Sequence, residues 1–400
     1  MERILVPILM LLSSFGFSQD QWLLKDSVKG SPRSVASSYV LNGEAFIIGG
    51  LDTDGFRRKI HKYKYWENDW IESSSIGGPN GGGLNRGSAC AFAINNKGYV
   101  CLGQGETNPF FKDLWEYDPI TDAWSQKADF IGTPRRQAVS FVIDQKAFVG
   151  TGKDENGFCR DMFQYDPSTN SWIQMNDFGG TARKDAVAFS MGAQAYIGTG
   201  DDGVYRNDFW LYDAITDSWI PKANFPGTPR KGAVAWGQFP QGFICSGEDM
   251  NFEYKKDLWE YNYYSNSWQQ RTDLPGNGRT EAIAFVLNNV AFVGSGYNGE
   301  FLDDVYAYQR EVGLNELSNG KILQAFPNPT NNEFHLTVEN KATTIKILNI
   351  QGKDVSSNFA ITKTGKGYTM QSTKAQKGLY FIHITDNDKN ELYTAEIILQ

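Results

Sequence analysis

The chain is poor in the residues that most often carry chemistry. Of 400 residues only four are cysteine and three are histidine, and charged residues make up 21%. His61, His335 and His383 are too few and too scattered for a histidine-rich metal centre. Net charge is −8, so there is no basic excess and no general attraction to nucleic acid or anionic membranes. Past the N-terminus, no apolar run approaches the ~20 residues that a spanning helix needs. Cys90, Cys101, Cys159 and Cys245 have no disulfide-framework spacing. Taking Asn95-Asn96-Lys97-Gly98 as a hairpin turn sets Cys101 nearer Phe92 than Cys90, so buried free thiols are expected. No nucleophile elbow, phosphate loop or zinc-helix motif occurs.

What is abundant is glycine (41), phenylalanine (26), tyrosine (19) and tryptophan (11). Such a composition suits many short strands joined by tight turns. Residues 1–18 read as a signal peptide, with Arg3, an apolar stretch, and Gly16-Phe17-Ser18 ahead of the cleavage point. Its apolar stretch is too short to span a bilayer, and no membrane span is expected in the mature chain.

A repeat dominates the next three hundred residues or so. Trp22, Trp70, Trp124, Trp172, Trp219 and Trp268 recur at spacings of 48, 54, 48, 47 and 49. Arg33, Arg86, Arg135, Arg183, Arg230 and Arg279 come after them, 11 residues on in every unit but one, where a Gly-rich insertion at 77–84 widens the gap to 16. Tyr63, Tyr117, Tyr165, Tyr212 and Tyr261 each precede a Trp by seven. After each Arg comes an apolar run, a tight turn such as Asn42-Gly43, and a second run ending in glycines such as Gly49-Gly50 or Gly150-Thr151-Gly152. A third strand such as Asp113-Leu114-Trp115-Glu116-Tyr117 and a fourth near the Trp complete a four-stranded unit.

A diglycine, then Tyr, then Trp in units of this length resembles the kelch repeat over roughly residues 22–308. The resemblance implies an all-β fold, a kelch-type β-propeller. Blade 1 departs from the pattern, with Lys59 and His61 where the others carry Asp and an aromatic. The ends of the array set the blade number. The last unit stops after Tyr308 without its Trp, while Trp22 has no unit before it. Gln21-Trp22-Leu23-Leu24 therefore supplies the fourth strand of the blade begun at Arg279, and the ring has six blades with no open seam.

The expected organisation is a signal peptide at 1–18, the six-bladed propeller at 19–310, a linker at 311–324 and a small C-terminal β-sandwich at 325–400. Phe326-Pro327-Asn328-Pro329, Asn349-Ile350-Gln351-Gly352-Lys353 and Lys377-Gly378-Leu379-Tyr380-Phe381, in that order, resemble the C-terminal sorting domain of bacterial type IX secretion. That resemblance implies the type IX machinery as a partner through 325–400, and an extracellular or outer-surface location.

Strand polarity puts the first strand's start and the second strand's end on one face, so the six Arg are expected to ring the channel mouth there. The adjoining loops bring Asp52, Glu106, Asp154, Asp201 and Glu248. Such a ring could bind a carboxylated sugar or acidic peptide, or each Arg could pair with a carboxylate of its own or a neighbouring blade. Repetition in every blade favours the pairing role. Phe56, Phe111, Phe158, Tyr205, Tyr254 and Phe301 on the same loops are candidate contact aromatics, or wedges between blades. No cofactor, metal or catalytic residue is expected; Asp52-Thr53-Asp54-Gly55 reads as a turn. A secreted binding or adhesion module with a protein or glycan ligand is the first reading. The alternative is a carbohydrate-active protein, either a lectin or an enzyme resembling the six-bladed sialic acid mutarotases.

Overall fold

The computed structural model describes residues 20–80, 84–106, 110–310, 320–322, 325–326, 333–337, 344–349, 354–364, 367–375, 378–386 and 391–399. The leader expected over 1–18, most of the linker and the turn motifs at 327–331 and 350–353 lie outside those residues. The chain divides into two compact units, one spanning 19–310 and one containing 311–400.

The first unit is a six-bladed propeller of four-stranded antiparallel sheets. Blade 1 runs Ser37–Leu41, Glu44–Ile48, Ile60–Lys64 and Asp69–Ser73 from the axis outward, and blades 2 to 5 repeat this order. Blade 6 takes three strands from Ile283–Leu287, Val290–Tyr297 and Phe301–Gln309, and its outermost strand from Gln21–Lys25. Trp22 lies opposite Tyr308 in that register.

The repeating aromatics explain why each blade holds its outer hairpin. In every blade the Trp ring lies 4.8–5.1 Å from the Tyr ring across the strand pair, a contact worth about 1 kcal/mol beyond its buried area. The Tyr hydroxyl then bonds an Asn or Asp in the turn, as Tyr165 does with Asn170 and Tyr212 with Asp217. Tyr308 has no such turn, and Asp20 from the N-terminal segment accepts its bond at 2.7 Å instead. The apolar core is distributed between blades. Each of six buried clusters draws on two adjacent blades, and together they run round the ring, from Tyr39 and Tyr117 between blades 1 and 2 to Tyr63 and Phe292 between blades 6 and 1.

One hairpin corrects the sequence reading. Asn95 and Asn96 both take left-handed φ (49° and 59°), so the turn has two residues and Lys97 already belongs to the strand. Cys90 therefore lies opposite Cys101, and Phe92 opposite Tyr99. All four cysteines are buried and free.

The second unit is a β-sandwich. One sheet runs Gly320–Ile322, Glu391–Leu399, Gly378–Asp386, Thr344–Asn349; the other runs Ala325–Phe326, Glu333–Thr337, Gly367–Ser372, Phe359–Thr364. Phe334, Met370, Ile347, Ile382 and Ile397 from the two sheets form one core. Gly320–Ile322, within the stretch read as linker, pairs in parallel with Glu391–Leu399.

Candidate functional site

The six repeating Arg do not face the channel. Each is 0–2% exposed and turns into its own blade, donating from NH1 to the carbonyl beside the second-strand glycine at 2.9–3.3 Å. In five blades the guanidinium also forks an Asp at the start of the third strand: Asp113, Asp161, Asp208, Asp257 and Asp304, at 2.5–2.9 Å. Burial pushes the Asp208 and Asp257 carboxyls up, but the Arg fork outweighs it and holds both below the usual range. Arg33 has no such partner, because Lys59 stands at the equivalent position.

The loop acids serve other bonds than the Arg. Asp52 accepts from Ser31, Arg57 and the Asp54 N–H. Asp154 accepts from Thr133 and from the N–H groups of Asn156 and Gly157. Asp201 holds the Gly203 N–H and lies 3.5 Å from Lys184. Glu106 and Glu248 bridge blades, accepting from the Phe56 N–H and the Tyr205 hydroxyl. Among the aromatics, Phe111 is buried 4.0 Å from the Arg86 guanidinium. Phe158 and Tyr205 lie beside Lys153 and Lys231, while Tyr254 and Phe301 flank Tyr297. The structure therefore brings these residues together in pairs, not in one ring.

What rings the channel mouth lies two residues after each Arg. Val35, Ser88, Gln137, Asp185, Gly232 and Glu281 all take left-handed φ of 48–59°. Each donates its N–H to the carbonyl of its counterpart in the preceding blade at 2.8–3.2 Å, and Val35 donates to Glu281, so the six bonds form a closed hexagon. A second hexagon lies beside it. The last glycine of each second strand donates to the Arg carbonyl of the next blade at 2.7–2.9 Å. Those glycines have φ of 95–105°, and a Cβ there would meet a backbone oxygen at 2.7–2.9 Å, so no other residue fits.

Because the backbone alone makes these rings, the side chains on them are free to differ. Gln137 donates to Asp185 at 2.8 Å, as does Lys184; Ser34 donates to Glu281 at 3.3 Å. Beside them Lys231 lies 3.4 Å from Glu248, and Arg136 bonds Gln104. Burial raises the Asp185 carboxyl above the usual range despite Lys184. Burial, reinforced by the Asp185 charge, lifts Glu281 to about 7. Asp185 and Glu281 thus share one mouth, opening on a channel lined by small residues such as Ala138 and Ala186, with Lys184 and Lys231 near enough to act on the Glu281 carboxyl. The sequence reading missed this set, although a signal existed. The repeating Arg is followed by Arg or Lys in three consecutive blades, and by Ser, Gly or Thr in the others.

Among the described residues, no group of three or more His, Cys, Asp or Glu is placed to hold a metal ion. No helix among them is long and apolar enough to cross a membrane.

Comparison with known proteins covers both units. Residues 324–400 match the family model described as the secretion system C-terminal sorting domain. That tail marks the chain for export by type IX secretion to the cell surface or extracellular space. No curated protein matches the sequence. Among solved structures, one titled "Structure of YjhT" is similar with a TM-score of 0.60 and 17% identity, over 71% of this chain and 96% of that one. At that identity the likeness establishes the propeller fold.

Proposed function

We propose that this exported six-bladed propeller is a binding module, taking a protein or glycan ligand at the channel mouth on the face of the glycine-ended strands. One observation carries the reading. Six backbone positions made equivalent by the hydrogen-bonded ring bear five different side chains and one glycine, so the scaffold is symmetric and the surface it presents is not. A fold that needs only the backbone there leaves side-chain identity to recognition. The polar groups fit a ligand with both donors and acceptors: Lys184 and Lys231 as cations, Gln137 as an amide, Asp185 and Glu281 as carboxyls.

A second reading, a carbohydrate-active protein, is favoured by Glu281. A carboxyl raised to about 7 can both donate and accept a proton near neutral pH, as acid–base chemistry at a sugar requires.

Screening the purified full chain against a glycan array, with NMR anomer exchange on any hit, separates the readings. Binding without exchange supports a lectin, exchange supports an enzyme, and capture of protein alone supports adhesion. For any ligand found, the Lys184→Ala/Lys231→Ala double variant is expected to bind at least tenfold more weakly. Losing the pairs to Asp185 and Glu248 lowers its melting temperature, and an unchanged β-sheet circular-dichroism spectrum shows that it remains folded. Unaltered affinity in that variant would place the ligand elsewhere and refute the mouth as the site.

A further inference from the structure

Blade 1 breaks the repeat at the point where the other blades are most alike. In blades 2 to 6 the buried Arg holds an Asp carboxylate between its two terminal nitrogens. In blades 2, 4 and 5 that carboxylate accepts a further bond, from the indole N–H of Trp115, Trp210 or Trp259, at 2.7–2.9 Å. The carboxylate site is therefore a guanidinium fork plus a ring N–H two residues along the third strand.

Blade 1 keeps the donors and lacks the acceptor. Arg33 is 2% exposed and donates only to carbonyls, those of Ser31, Gly49 and Lys29, at 3.0, 3.3 and 3.4 Å. Lys59 replaces the Asp, and His61 replaces the Trp. His61 is also 2% exposed, and its Nδ1 has no hydrogen-bond partner. The nearby carboxylate of Asp52 is taken up by Arg57, Ser31 and the Asp54 N–H. A buried guanidinium without a hydrogen-bonded counter-charge is unfavourable, and a ligand carboxylate would relieve it.

There is room for one. Arg33, Lys59 and His61 line a cavity of about 440 Å³ with Lys29, Arg58 and Asn85, within the roughly 300–1,000 Å³ of small-molecule sites. Two features keep it open. Phe130, Phe178 and Phe225 lie 4.9–5.2 Å from Arg135, Arg183 and Arg230, whereas the smaller Val28 stands at the equivalent position beside Arg33. Gly30 forms part of the wall, and a Cβ on it would lie 2.6 Å from the Arg33 guanidinium and 3.3 Å from the His61 ring. Burial and the Arg33 charge lower His61 to about 4, so at neutral pH it is an uncharged ring with one N–H to donate.

We infer that blade 1 is a binding site for a ligand carboxylate, held by the Arg33 fork and the His61 ring N–H as Asp113, Asp208 and Asp257 are held in their own blades. Lys59 stands where the repeat has an anion, and although it pairs with Glu72 of the cavity wall at 3.0 Å, Lys29, Arg33, Arg57 and Arg58 leave the lining cationic, so the site selects for negative charge. The carboxylate could belong to an acidic sugar or to a peptide C-terminus, which share this chemistry. The site stands apart from the channel mouth and does not depend on ligand binding there.

The test uses the purified full chain, whose three histidines make the His61 ring resonance assignable by comparison with His61→Phe. Sodium glucuronate is titrated against glucose, Ala-Ala against its C-terminal amide, and acetate serves as the bare carboxylate. At millimolar ligand, the carboxylates should shift the His61 resonance and raise the melting temperature, while the neutral counterparts do neither. The tighter of glucuronate and Ala-Ala identifies the source. Lys59→Asp, which restores the residue of the other five blades, should melt higher than the parent and lose the response at least tenfold. Its stability guards against an unfolded variant being read as a loss of binding. If no carboxylate moves His61, or if Lys59→Asp responds as the parent does, the site is refuted; Lys184→Ala/Lys231→Ala should leave the response unchanged.

Discussion

Glu281 puts a carboxyl where folding works against its charge. It keeps part of its surface in the channel, yet the ring backbone and Asp185 surround it, and Lys184 and Lys231 only partly offset them. With a carboxyl raised from 4.5 to about 7, the folded chain holds a proton that the unfolded chain has released. This contribution to stability is complete below about pH 4.5 and is lost as pH rises through about 7. Glu281→Gln keeps the acceptor for Ser34 and removes the titration. Denaturant unfolding should find the two proteins alike near pH 4. By pH 8 the variant should be more stable by about 2 kcal/mol, allowing for channel water around the group. A constant difference across that range would mean that the carboxyl titrates normally.

At the scale of the strand, the Arg–Asp fork ties the start of a blade's first strand to the start of its third. Arg183→Ala removes one fork and leaves Asp208, 29% exposed, with the Trp210 indole N–H as its remaining side-chain hydrogen-bond donor. The expected loss is about 3 kcal/mol, read as a lower unfolding midpoint in urea. A midpoint unchanged from the parent would show that the fork carries no stability. The strands themselves were legible because Trp, Tyr and Arg recur at fixed offsets and their packing requires it. The Asp partners escaped notice because they lie about 25 residues downstream of the Arg, and only folding brings the two together. The Cys90 register differs from the sequence expectation by two residues because the turn length is set by two left-handed Asn, not by the first glycine after them. Of the mouth, the sequence displays only the Arg or Lys that follows Arg135, Arg183 and Arg230; the ring positions themselves carry no signal. Val35, Ser88, Gln137, Asp185 and Glu281 share a backbone conformation and a bonding pattern, but no side-chain property that a sequence could display.

Across the whole molecule, the repeat builds the scaffold, and recognition is left to the places where the blades differ. The tail takes the chain out of the cell, the two hexagons hold the blades about the channel, and the N-terminal strand completes the last blade. The mouth exists as a site only if that ring is closed. Closure rests on Gln21–Lys25 pairing with Phe301–Gln309, on Asp20 accepting from Tyr308, and on the Trp22 indole donating to Thr272 at 2.9 Å. Native-state hydrogen exchange, read amide by amide, tests this most directly. Amides of Phe301–Gln309 that point toward Gln21–Lys25 should exchange as slowly as their counterparts in Phe209–Asp213, and should become fast when residues 20–25 are deleted. Fast exchange of those amides in the intact chain, or no change on deletion, would contradict a ring closed by its own N-terminus.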